Sequence, residues 1–169
     1  FSASNGNMEI RKAVLSDITD IFLIIESYAK EGILLQRTPG EIESALSTFY
    51  VAIDHNSIIG VTSFHDYGAR LKEIRSLAVL RDRKKKGVGS ILVRALLQDL
   101  LREFPTAKVF VLTYTPAFFK KIGFLEVDKE TLPEKIWKDC QNCVNKDNCG
   151  ESALVYRYHT VLDNHGPEA

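Results

Sequence analysis

The run Ser76-Leu77-Ala78-Val79-Leu80-Arg81-Asp82-Arg83-Lys84-Lys85-Lys86-Gly87-Val88-Gly89-Ser90 joins three features that together hold anions. An apolar strand enters a basic loop, and two glycines then open a long amphipathic helix. Glycines let backbone come close to a ligand, and a helix start offers free N–H groups at the positive end of its dipole. Arg81, Arg83, Lys84, Lys85 and Lys86 bring positive charge to the same place. Lys84, Lys85, Lys86, Gly87, Val88, Gly89 and Ser90 are therefore the candidate cradle for a pyrophosphate. Two familiar phosphate patterns fail here. A mononucleotide loop ends in Gly-Lys-Ser/Thr, whereas Gly89-Ser90-Ile91 follows. A dinucleotide fingerprint needs a third glycine after the first strand, but Leu92 stands there and the loop sits mid-chain. A solvated basic turn is the plain alternative.

Cys140, Cys143 and Cys149 form the second group able to do chemistry, with spacing that suits three ligands of a zinc or iron–sulfur site. There is no fourth cysteine, and His159 and His165 are poorly placed in sequence, so zinc is the disfavoured reading. Reduced or redox-variable thiols are expected; a Cys140–Cys143 or Cys143–Cys149 disulfide and a metal knot remain open. His55, His65, His159 and His165 show no metal-ligand spacing and are expected at turns or on the surface.

The elements that must position these groups follow from the hydrophobic pattern. Residues 8–14 alternate as a half-buried strand, and Ser16 is expected to cap a helix with Ile18, Ile21, Phe22, Ile25, Tyr28 and Ala29 on one stripe. Thr38-Pro39-Gly40-Glu41 reads as a capping box opening a shorter helix. Strands are expected at 49–54, 58–67 and 71–80, joined by hairpins. A helix over 87–104 leads to a buried strand at 108–114, which the crossover makes parallel to 71–80. A short helix from Thr115-Pro116 to Ile122, a strand at 124–128, one or two helical turns after Thr131 and a last strand at 152–159 complete the order.

The chain has 169 residues, with 22 Lys+Arg balancing 22 Asp+Glu. Zero net charge provides no overall field for nucleic acid or anionic membrane, and the 81–86 patch lacks interleaved aromatics for RNA. The densest apolar runs are too short to span a bilayer. Residues 1–7 show no signal peptide and are expected to be a disordered or added leader; 8–160 form one domain and 161–169 a flexible tail. An odd thiol cluster suits a reducing cytoplasm.

KKKGVG (84–89) resembles the coenzyme A loop of the GNAT acetyltransferases, with Lys84 at their Arg/Gln position. MEIRKAVLSDITDI (8–21) is similar to the usual GNAT opening, and FFKKIGF (118–124) to its signature after the fifth strand. The resemblance covers 8–159. It implies an α/β (α+β) GNAT fold: a mixed, mostly antiparallel sheet of about seven strands, helices on both faces and a splayed parallel pair at the centre. EIRSLAV (73–79), LTYTPAFFKKIGF (112–124) and TLPEKIWKDCQNC (131–143) further resemble the short, single-domain N-acetylglutamate synthases of arginine biosynthesis.

That resemblance implies acetyl-CoA as cosubstrate and L-glutamate as acceptor, with direct attack of the amine on the thioester. Another small amine, a protein N-terminus and a non-catalytic CoA-sensing domain are the alternatives. The family lines its acetyl site with the strand that carries Glu73, the first candidate for the base an ammonium substrate needs. Backbone groups of Leu77, Ala78 and Val79 would hold the pantetheine arm and polarise the carbonyl. Phe119, a candidate cofactor contact, stands where many members carry a Tyr acid, so either the thiolate leaves without a protein acid or another group such as Tyr114 serves. Arg75, two residues from Glu73 on one strand face, is the first candidate for a substrate carboxylate, followed by Lys121, Ser152 and Arg157. A homodimer is common in the family, and the edge of the last strand offers it a route.

Overall fold

The structure is a computed structural model that describes residues 3–5, 8–132 and 150–156, with the side chains of 3–5 and 84–86 set aside. It divides into two compact units, one up to Ala107 and one from Lys108.

In the first unit, β1 (Ala3–Asn5), β2 (Met8–Lys12), β3 (Phe49–Asp54), β4 (Ser57–Asp66) and β5 (Leu71–Val79) pair antiparallel in that order. β1 lies inside the expected leader. Its backbone instead pairs with Met8–Ile10 and covers an edge that β2 would otherwise expose. The turn between β3 and β4 is the tight reversal expected, with His55 and Asn56 at φ 49° and 64°.

α1 (Ile18–Ala29) and α2 (Pro39–Ser44) lie on one face of this sheet. Ile21, Ile24, Ile25, Tyr28 and Ile42 close over Phe49, Val51, Val61 and Ala78, all buried. The helix start differs from expectation: Asp17, rather than Ser16, organises it. A single 3-10 turn, Leu15–Asp17, precedes α1. The Asp17 carboxylate accepts the Val14 N–H at 2.8 Å and both Arg11 Nη atoms, at 2.7 and 3.2 Å. Burial pushes its pKa up, but Arg11 and the Val14 N–H outweigh that and hold it below the usual range. α2 starts as read, with the Glu41 N–H on Thr38 Oγ1 at 3.1 Å.

α3 (Val88–Glu103) covers the other face. Side chains alternate along a strand, so if Val61 faces α1, Gly60 must face away. A Cβ on Gly60 would stand 3.0 Å from Leu92 and 3.2 Å from Val88, so the bare glycine is what lets the first turns of α3 seat on β4. Farther along, Lys72 is 1% exposed, its ammonium 2.7 Å from Asp66 and 3.9 Å from the Phe104 ring centroid. That desolvated ammonium, with the Gly68 N–H, lowers the Asp66 pKa. It also fixes the tip of the β4–β5 hairpin to the end of α3.

The second unit holds β6 (Lys108–Thr113), α4 (Pro116–Ile122), β7 (Phe124–Val127) and β8 (Ser152–Tyr156), with β8 antiparallel to β6 on one side and to β7 on the other. Phe119, 2% exposed, sets its ring edge-on to Phe118 and Phe124. No helix among the described residues is long and apolar enough to cross a membrane.

Candidate functional site

The β4–β5 hairpin is regular except at one place. Val61 faces Ala78 and Ser63 faces Arg75, so one β4 residue is opposed by two on β5. Ser76 takes the extra space at φ 55°, a left-handed conformation that costs a non-glycine residue on the order of 1 kcal/mol. The Arg75 carbonyl just before it accepts the hydroxyls of Thr62 at 3.4 Å and Ser63 at 3.3 Å, both residues fully or nearly fully buried. The bulge is confined to Ser76 and Leu77, and the ladder resumes beyond it with Ala78 opposite Val61 and Val79 opposite Gly60. The Val79 carbonyl takes a 2.6 Å hydrogen bond from the buried Tyr28 hydroxyl of α1.

Before the bulge, Glu73 and Arg75 share a face, as their spacing predicted, and they touch. Glu73 is 6% exposed, and its Oε1 accepts Arg75 Nε at 2.7 Å and the Tyr67 hydroxyl at 3.2 Å. Arg75 Nη2 donates to the same Tyr67 oxygen at 2.8 Å. His65 lies directly opposite Glu73 in register and sets its exposed ring edge-on to Tyr67, centroids 4.5 Å apart. Arg37, just before α2, adds a second guanidinium: it sits 5.7 Å from the Phe49 ring centroid, and burial, then the charge of Arg75, lowers its pKa. Tyr67 and Arg37 were missed from the sequence. Neither falls on a periodic stripe or a motif, and only folding brings them to Glu73 and Arg75.

The loop after β5 is a 3-10 stretch, Arg81–Lys86, closed by Gly87 at φ 74°, where α3 begins. That left-handed turn suits glycine, and the N–H groups of Val88, Gly89 and Ser90, in the first turn of the helix, have no partner within it. Arg81 and Arg83, counted with the basic loop, each have a carboxylate partner elsewhere in the unit. Arg81 pairs with Glu31 and stacks 4.4 Å from the Tyr28 ring centroid, and Arg83 pairs with Asp54. Opposite charges brought close by the fold hold both. Lys84, Lys85 and Lys86 are the other positive residues of the loop, which also holds Asp82.

On the second unit, Tyr114 is 43% exposed and packs beside Gly150. The Phe119 ring, expected at the cofactor, is closed off by the aromatic cluster, which leaves its backbone for contact. Lys121 is exposed, and Ser152 hydrogen-bonds Glu126, whose pKa is lowered first by Lys120, 2.9 Å away. Arg157, Cys140, Cys143 and Cys149 lie outside the described residues.

A strand bulged beside a buried carboxylate, running into a glycine turn and a helix start, is the arrangement of an acyl-CoA-using transferase. The chain belongs to the acetyltransferase (GNAT) family, whose model matches residues 14–124, and its fold is the GNAT fold. It is an N-acetyltransferase related to the amino-acid acetyltransferases. An uncharacterized N-acetyltransferase of Chlorobaculum tepidum is 42% identical over 86% of this chain and 94% of its own. An amino-acid acetyltransferase of Mycobacterium tuberculosis is 29% identical over 77% of this chain and 75% of its own. Among solved structures, N-acetylglutamate synthase from Neisseria gonorrhoeae, complexed with coenzyme A and N-acetyl-glutamate, superposes with a TM-score of 0.81 at 26% identity. The match covers 93% of this chain and 36% of that one.

Proposed function

We propose that the chain transfers acetyl from acetyl-CoA to the α-amine of L-glutamate, as an N-acetylglutamate synthase serving arginine biosynthesis in the cytoplasm. The observation that carries this reading is the buried Glu73 carboxylate held by Arg75 and Tyr67, with a second guanidinium, Arg37, whose pKa is lowered first by burial and then by the charge of Arg75. The relatives named for amino-acid acetylation support the acceptor.

In the proposed reaction the N–H groups at Val88, Gly89 and Ser90, with Lys84, Lys85 and Lys86, hold the pyrophosphate. The backbone at Leu77, Ala78 and Val79, just after the bulge, holds the pantetheine arm. A bound thioester supplies the electrophilic acetyl carbon. A backbone N–H of the bulge, fixed before the reaction, stabilises charge on its carbonyl oxygen. Glu73 takes a proton from the substrate ammonium, so that a neutral amine attacks. Arg37 and Arg75 orient carboxylate on the acceptor. The leaving thiolate either departs unaided, as its moderate basicity allows, or takes a proton from another group, for which Tyr114 is the candidate. Lys121, Ser152 and Arg157 are further candidates for the acceptor.

A second reading, another small amine, is favoured by one detail. Arg75 already gives Nε to Glu73 and an Nη2 proton to Tyr67, which reduces what it offers a second substrate carboxylate. Thiol release from acetyl-CoA against a panel of amino acids, polyamines and N-terminal peptides separates the two. Turnover with L-glutamate above the rest is expected. Turnover with lysine or polyamines and none with glutamate overturns the acceptor.

A further inference from the structure

We propose that Tyr67 is a positioning residue for the reaction: its hydroxyl fixes the Glu73 carboxylate and keeps it ionised. This rests on the reading of Glu73 as the base. Three hydrogen bonds close a ring: Arg75 Nε to Glu73 Oε1 at 2.7 Å, Arg75 Nη2 to the Tyr67 oxygen at 2.8 Å, and the Tyr67 hydroxyl to Glu73 Oε1 at 3.2 Å. A guanidinium only donates, so the Tyr67 oxygen must accept from Arg75. The direction of its own proton is thereby set, toward Glu73. The carboxylate is held by two donors on one oxygen, in a place where burial alone would favour the protonated acid.

The tip carrying this ring is anchored from the opposite face. Lys72 and Asp66 pair there against Phe104, and the Gly68 N–H donates to Asp66 Oδ1 at 2.8 Å. Tyr67 thus hangs from a turn whose swing would break an ion pair with a buried lysine. Among the described residues, the charged and titratable groups around the ring include Arg75 on the strand of Glu73, His65 on β4, Tyr67 just beyond it, and Arg37 from the segment before α2, whose pKa is lowered in part by the charge of Arg75.

The variant Tyr67→Phe keeps the ring against His65 and removes only the hydroxyl. A donor to the charged form favours that form, so its loss raises the Glu73 pKa. Ionised base is then lost at higher pH. Two readouts follow this. In protein labelled with 13C at the glutamate carboxyls, the Glu73 resonance is identified by its absence from Glu73→Gln. It is expected to titrate about one pH unit higher in Tyr67→Phe, the size set by a hydrogen bond to a charged group. The acid limb of kcat/KM is expected to move up by the same amount, with the KM for acetyl-CoA unchanged. A resonance that titrates where it does in the wild type overturns the role of Tyr67. A resonance that moves while the acid limb stays fixed overturns Glu73 as the base instead. The resonance needs no substrate, so the first result is read even if the acceptor has been misjudged.

Discussion

The glycine loop and the hairpin beside it are consecutive in the chain and work in opposite ways. In the proposed site the hairpin acts through side chains: Glu73, Arg75 and Tyr67 form a closed hydrogen-bonded ring, and the charge of Arg75 lowers the Arg37 pKa. In the loop, two prominent side chains are spent on anchoring. Arg81 pairs with Glu31 and Arg83 with Asp54, while Gly87 and the first turn of α3 present backbone N–H groups. A pyrophosphate presents the same anionic oxygens whatever the acceptor, and fixed backbone meets it well. An acceptor that must be chosen and deprotonated needs groups whose charge and basicity can be set individually. On the proposed reading, the two paired arginines of the loop anchor it, and the backbone and the lysines meet the phosphates.

Two substitutions in and under the loop sharpen that contrast. The larger effect is expected from Gly60→Ala, which changes no charge. Its Cβ would meet Leu92 at 3.0 Å and lift the start of α3 from β4. Overpacking of this kind costs about 1–3 kcal/mol. The acetyl-CoA KM should rise severalfold and the thermal midpoint fall, with the glutamate KM nearly unmoved; steady-state kinetics and a melting curve check both. A smaller effect is expected from Arg83→Gln, which removes a positive charge from the loop. The pair with Asp54 is partly exposed, and such pairs contribute about 1 kcal/mol or less. A small drop in stability with little change in the acetyl-CoA KM is predicted. A large rise in that KM would return Arg83 to the phosphates and blur the distinction between the two regions.

How much of this was legible in the sequence follows the range of the interactions. The capping box at Thr38, the turn at His55 and Asn56, the start of α3 and the shared face of Glu73 and Arg75 depend on neighbours a few residues apart. Pattern and spacing record those directly. The engagement of Arg81 with Glu31 and of Arg83 with Asp54 joins residues 50 and 29 positions apart, and only the packed sheet and α1 bring them together. Arg37 approaches Arg75 by the same long route. Tyr67 is nearer, but its role needs the register of β4 against β5, which no composition signal carries. Asp17 displaced Ser16 because a carboxylate reaches a backbone N–H and a guanidinium at once.

The central claim is that the hairpin face, with Arg37, selects and deprotonates the acceptor, while the loop holds the cosubstrate. The most direct test is the pair of KM values in Arg37→Ala, with Arg75→Ala alongside. The account predicts a glutamate KM raised by about tenfold or more, the loss of one charge-assisted contact, and an acetyl-CoA KM within twofold of the wild type on the same scale. An unchanged glutamate KM with a raised acetyl-CoA KM in both variants would contradict it.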